Sequence, residues 1–229
     1  MTLFEEKKFN IPELKGISSK TIEEHLKLYA GYVKHANLVL QKIDELAEDS
    51  EKNAYALGEV QRRFGFEYDG MRNHEVYFDS LSDGAKEISQ KSELYKSITY
   101  LWGSFDTWLT RFKSMAMSRG IGWAMLYFDK KDMRLLNAYV EDHQLGQLTG
   151  CAPILALDMW EHAFVSDYQP SGKKQYVEEF REIKKQFPDA LMEMECVFID
   201  TNPEIDGGWI DNDVKIHGVE NKIIIEVTK

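Results

Sequence analysis

The sequence predicts an α+β fold: an N-terminal helical hairpin domain, then an α/β domain with a small three-stranded antiparallel sheet, and last a strand-rich C-terminal extension. Three observations predict it. Apolar residues recur at helical spacing through roughly the first 80 positions. Gly120-Ile-Gly122 then halts that pattern ahead of short strand-like runs. Beyond Pro188, turn signals (Thr-Asn-Pro, Asp-Gly-Gly, His-Gly) separate β-rich runs. The expected divisions are residues 1–82, 83–187 and 188–229.

The elements follow in order. Ile22, Leu26, Tyr29, Val33, Leu38, Leu40, Ile43 and Leu46 mark one long amphipathic helix or a bent pair from Ser19 to about Glu48, with Ser18 and Ser19 as candidate caps. A second helix is expected from about Glu51 to Arg63, ending at Gly65, and a third from Gly70 to Leu81 before the turn Ser82-Asp83-Gly84. Helical patterning resumes from Gly84 to about Arg119 with a break near Gly103. Strands are expected at Trp123–Phe128, at about Leu135–Tyr139 beyond the polar turn Asp129–Asp132, and at Pro153–Leu157. An amphipathic helix from Gln175 to Phe187 precedes the extension, whose runs Cys196–Ile199 and Ile223–Val227 read as strands.

With 229 residues and 43% hydrophobic content the chain can bury a sizeable interior. No run of 18 apolar residues occurs, and the charged opening MTLFEEKKFNIPELK lacks the pattern of a signal peptide, so the expectation is a cytoplasmic protein without a membrane partner. Cys151 and Cys196 are widely spaced and form no CxxC pair, which fits a reducing compartment. A net charge of -11 without a basic stripe excludes nucleic acid as a partner. A small anionic ligand remains compatible with that charge, provided cationic side chains gather at the mouth of its site.

The segment Asp158-Met-Trp-Glu-His162-Ala-Phe164 carries the chemistry. A carboxylate and an imidazole four residues apart, just after an apolar strand, can converge on one point. Spacing alone fits equally an acid capping the next helix beside a core histidine. The wording D-x-W-E-H-A-[FY], however, resembles the signature of the iron/manganese superoxide dismutases. Thr21-Ile-Glu-Glu-His25 is similar to that family's first-ligand segment, and Arg72-Asn73-His74, followed by Tyr77-Phe78, to its second. The resemblance runs from about Asn10 to Phe187. It implies one iron or manganese ion held by His25, His74, Asp158 and His162, and the conversion of superoxide to dioxygen and hydrogen peroxide. Three imidazoles and a carboxylate form a donor set of borderline hardness suited to either metal.

The resemblance also implies roles around the ion. Tyr32, in Gly31-Tyr-Val-Lys34, resembles the family's gateway tyrosine and is the expected proton relay, although this chain has one residue fewer between it and the first ligand. Tyr29 shares a helix face with His25 and reads either as a second phenol at the site or as part of an aromatic core stripe. His143, in Asp142-His143-Gln144, resembles the position from which many manganese-type members and some iron ones donate to the solvent on the metal; Gln144 is expected beside it. The alternative position for such a donor, four residues before the second histidine, is Gly70. Trp123 and Trp160 resemble tryptophans that wall the pocket. Trp102 and Trp108 are expected in the general core. Glu161 resembles the glutamate that bonds the partner subunit's last histidine, implying a homodimer or higher homo-oligomer. The usual tyrosine three residues after the last ligand is replaced by Val165.

Two rivals stand beside this reading. A zinc hydrolase uses three histidines, an aspartate and an open water position, but needs a general base, and Glu161 is the acid beside any ligand that could serve. A dismutase-like metal-binding protein without enzymatic turnover would be expected to have lost ligands.

Overall fold

Ser18 sets the start of α1 (Ser19–Ala47): its extended backbone lets the hydroxyl accept from the Thr21 N–H at 3.2 Å. From there Ile22, His25, Tyr29, Val33 and Ala36 fall every three or four residues and are all buried, so a single inward stripe runs along one unbroken helix. The computed structural model describes residues 2–84 and 88–179, together with the backbone of 214–219 and 222–227. Among the described residues, no helix is long and apolar enough to cross a membrane.

The two helices expected over residues 51–81 are one, α2 (Ala54–Leu81), packed along α1 as a hairpin. Gly65 and Gly70 keep ordinary helical backbone rather than the left-handed conformation that ends a helix. Each costs the helix up to about 1 kcal/mol against alanine, and packing of α2 along α1 offsets that cost. Gly70 also has a positive reason to be glycine. A Cβ there would meet Cδ1 and Cε1 of the Tyr32 ring at 2.7 and 2.8 Å.

The next helix begins later than its patterning suggests. Ser92 bonds back to the Ser89 carbonyl through both its amide and its hydroxyl (2.9 and 2.7 Å), making a turn that caps α3 (Glu93–Trp102). Gly103, at φ +81°, closes α3, and Ser104 opens α4 (Phe105–Ala116).

Three strands then form an antiparallel sheet in the order β2-β1-β3: β1 (Gly122–Asp129), β2 (Arg134–Glu141) and β3 (Cys151–Asp158). Each extends one or more residues past its expected bounds because pairing continues, with Gly122 opposite Glu141 and Trp123 opposite Asp158. The central strand β1 is buried from Gly122 through Phe128. Pro153, which cannot donate to a ladder, sits in the outer strand β3. After β3 come a 3-10 turn at Glu161–Ala163, the short helix α5 (Val165–Tyr168) and α6 (Lys173–Glu179). The remainder of the helix expected to Phe187, and the strand expected at Cys196–Ile199, lie outside the described residues. In the extension, β4 (Val214–Val219) pairs with β5 (Lys222–Val227) antiparallel.

Candidate metal centre

Four side chains from four elements meet where the α1–α2 hairpin faces the end of β3. His25 of α1, His74 of α2, Asp158 at the end of β3 and His162 of the 3-10 turn place one ligand atom each within 4.8 Å of one another. The Asp158 Oδ2 atom lies 3.0 Å from His25 Nε2, 3.1 Å from His162 Nε2 and 3.7 Å from His74 Nε2. His25, His74 and Asp158 are shut off from solvent, while the His162 side chain keeps 22% exposure.

Local chemistry aims each atom. The helical stripe carries His25 inward. The His74 Nδ1–H donates to the Gly70 carbonyl at 2.6 Å, which leaves the Nε2 lone pair facing the cluster. That Nε2 is buried and has no hydrogen-bond partner. Asp158 uses Oδ1 to accept from the Trp160 amide at 2.8 Å; this turns the chain into the segment bearing His162 and leaves Oδ2 for the cluster.

The electrostatics call for a cation. Burial pushes His25 below the ordinary histidine range, against the opposing pull of Asp158, and pushes His74 well below it. Burial would raise the Asp158 carboxyl, but the charge and hydrogen bond of His162 and the hydrogen bond of His25 hold it well below the usual carboxylate range. Two imidazoles that burial keeps neutral, a third that is partly open and an ionised carboxylate thus share one pocket, an arrangement that one metal ion satisfies.

Around the donors lies a cage of rings. Trp123 is fully buried, 5.0 Å from the His74 ring; Trp160 stacks on His143 at 4.8 Å and on His162 at 5.9 Å. Tyr77 and Phe78 pack on His25 at 5.1 and 5.0 Å. Trp108 is buried with its indole bonded to Asn137, among core rings that include Trp102.

Tyr32 and His143 come together despite the shortened spacing on α1. The Tyr32 ring stacks on His74 at 5.0 Å, and its hydroxyl lies 2.7 Å from His143 Nε2. His143 reaches that place because Asp142 adopts the left-handed region (φ +49°), which short polar side chains tolerate, and turns the chain inward after β2. Burial drops the His143 imidazole to about 4, so it is neutral through the physiological range. Burial raises the Tyr32 phenol, and the charge of Asp158 adds to the rise.

The Tyr29 hydroxyl accepts from the Lys7 amide at 2.8 Å and donates to Glu75 at 3.2 Å, with the ring packed on Phe9 and Phe78. The Gln144 Oε1 atom is buried without a hydrogen-bond partner among the described residues, whereas Gln147 is bonded on both sides of its amide. The Gln147 Nε2 group donates to the His143 carbonyl and to Asn73 Oδ1, both at 2.9 Å, Asn73 donates to the same carbonyl at 2.9 Å, and Tyr127 donates to Gln147. This clamp ties α2 to the loop carrying His143. Spacing alone gives it no signal, because its links from Asn73 join residues 70 or more positions apart. Glu161 is exposed.

Comparison with known proteins agrees with this geometry. The family described as iron/manganese superoxide dismutases, C-terminal domain, matches residues 90–186. A superoxide dismutase [Fe] of Cupriavidus metallidurans is 35% identical over 173 residues, covering 74% of this chain and 85% of the relative. The chain belongs to the iron/manganese superoxide dismutase family. A superoxide dismutase [Mn] of Mycobacterium avium is also 35% identical, over 68% of this chain and 74% of its own length. A superoxide dismutase [Fe] of Mycobacterium tuberculosis is 36% identical over 63% of this chain and 69% of its own. The family's iron- and manganese-named members thus match this chain about equally, in line with a donor set that suits both metals.

Proposed function

We propose that this protein is a superoxide dismutase, carrying one iron or manganese ion per subunit and converting superoxide to dioxygen and hydrogen peroxide. The observation that carries it is the convergence of His25, His74, Asp158 and His162 in a dry pocket beside a tyrosine–histidine hydrogen bond. When bound, the ion supplies one-electron chemistry, accepting an electron from one superoxide and passing it to a second.

The protein residues do the rest. Asp158 offsets part of the cation's charge, and Trp123, Trp160, Tyr77 and Phe78 keep bulk water off the donors. Tyr32 holds a proton at its hydroxyl, within reach of the pocket, for the step that forms peroxide. His143 orients that hydroxyl through its own Nε2–H. The ligands are shared equally between the segments 1–82 and 83–187, so the centre forms only when the two are packed together.

A homodimer belongs to the same proposal. The exposed carboxylate of Glu161 stands next to His162, whose side chain is itself partly open, and a second copy could cover both. A cytoplasmic location is supported by the free thiol of Cys151. Metal analysis combined with a superoxide-consumption assay tests the function: stoichiometric iron or manganese with rapid consumption is expected. Zinc with no consumption would overturn it. Sedimentation tests the assembly, and a fully active monomer would remove the dimer.

A further inference from the structure

Arg63 lies outside the ligand set but against its entrance. Its guanidinium carbon sits 3.6 Å from the centroid of the Phe66 ring, a cation–π contact that holds the charge in place. Phe66 in turn meets His143 at 4.6 Å, Tyr32 at 6.1 Å and Trp160 at 6.5 Å. Those neighbours run from partly exposed rings down to fully buried His143, so Phe66 marks the passage from solvent to the centre. Arg63 itself is half exposed, and its field reaches both Tyr32 and His143.

A small anion approaching a chain of net charge -11 meets an unfavourable long-range field. We propose that Arg63, braced on Phe66, is the residue that recruits the anionic substrate to this entrance. The inference rests on the superoxide reading above. Its negative counterpart is Glu67, one helical turn on, whose buried carboxylate accepts from Arg63 Nε at 3.0 Å. Glu67 orients the guanidinium and offsets part of its charge. The Nη groups of Arg63 make no hydrogen bond among the described residues, which leaves their N–H donors for an anion.

The pair makes a test with opposite signs. The metal-loaded protein is titrated with azide, a small competing anion, followed by the metal's visible absorption. Superoxide decay is measured in parallel at ionic strengths that shorten the Debye length from ~30 Å to ~8 Å. Arg63→Gln should keep its metal, weaken azide binding and lower the second-order rate by roughly three- to tenfold at low salt, with a flatter salt dependence. Glu67→Gln should shift azide affinity and salt dependence the other way, and Arg63→Lys should stay close to wild type. A merely structural ion pair would make both glutamine variants fall together; that result, or azide affinity indifferent to Arg63, overturns the proposal. Arg63-dependent azide binding without superoxide consumption would sink the dismutase reading and leave the recruiting role standing.

Discussion

The Trp123 indole Nε1–H donates to His143 Nδ1 at 3.0 Å, and this single contact decides where the imidazole keeps its proton. An indole nitrogen can only donate, so Nδ1 of the neutral ring must accept and the proton sits on Nε2. Nε2–H then points at the Tyr32 oxygen 2.7 Å away, which leaves the phenol's own hydrogen free to be given elsewhere. Direction along Trp123, His143 and Tyr32 is thereby fixed.

Trp123→Phe removes the donor and leaves a small cavity where the larger indole stood. We expect metal content to hold and stability to fall by about 2–4 kcal/mol, since a buried acceptor loses its partner and the core loses packing. Ring nitrogen shifts of His143 in the metal-free protein should show the Nε2–H tautomer in the wild type and a mixture in the variant. A wild-type ring protonated on Nδ1 would refute the direction of the chain.

Gly70→Ala tests the seat of Tyr32. The added methyl would stand 2.7 Å from the ring, closer than packing allows, so the ring must shift and its bond to His143 lengthen. Expected are a loss of about 1–3 kcal/mol in urea unfolding and slower turnover at retained metal content. Unchanged activity would show that Tyr32 need not be held in this position.

Much of this centre was legible through the family resemblance, because the motifs that carry it are local. The Asp158–His162 spacing, the Asn73-His74 pair and the His25–Tyr32 helix face each sit within one turn or two of chain. Less legible were the contacts that depend on how elements cross. Gly65 and Gly70 read as a helix break, yet packing against α1 carries the helix through both. Tyr29 and Tyr32 share a helical face, but Lys7 and Glu75 draw the first hydroxyl outward while His143 draws the second inward. The Asn73–Gln147 clamp and the Trp123–His143 bond span loops and strands, and no periodicity encodes them.

Asp69 gives a stability prediction with a definite sign. Burial raises its carboxyl to about 6, above its ordinary value of 3.8, beside a cleft of about 350 Å³ that Tyr127 and Gln147 also line. A raised carboxyl pKa means the folded state binds the proton more tightly, so folding loses stability as pH climbs from about 4 to above 6. Asp69→Asn should therefore gain about 1–2 kcal/mol at pH 7.5, a figure discounted for the side chain's partial exposure, and almost nothing at pH 4. Equal urea midpoints for the two proteins at pH 7.5 would contradict this.

His162→Ala leaves His25, His74 and Asp158 with an unfilled corner. Metal affinity should drop by more than the ~10–100-fold typical of losing an outer hydrogen-bonding partner, and activity should vanish with it. Metal retained at wild-type stoichiometry in the purified variant would remove His162 from the ligand set.

Tyr32 and His143 act as one unit if the bond between them carries the chemistry. Tyr32→Phe keeps the ring stacked on His74 and should leave metal content intact, while turnover slows chiefly when superoxide is abundant and proton delivery to the departing peroxide limits the cycle. His143→Ala takes away the group that orients the phenol, so it should slow the same step. Because each substitution breaks the same link, the double variant should be no slower than the slower single one. Turnover of all four proteins at saturating superoxide closes the cycle. Losses that multiply would show that the two residues serve the centre by separate routes, and that the 2.7 Å bond between them is a packing contact rather than the path of the proton.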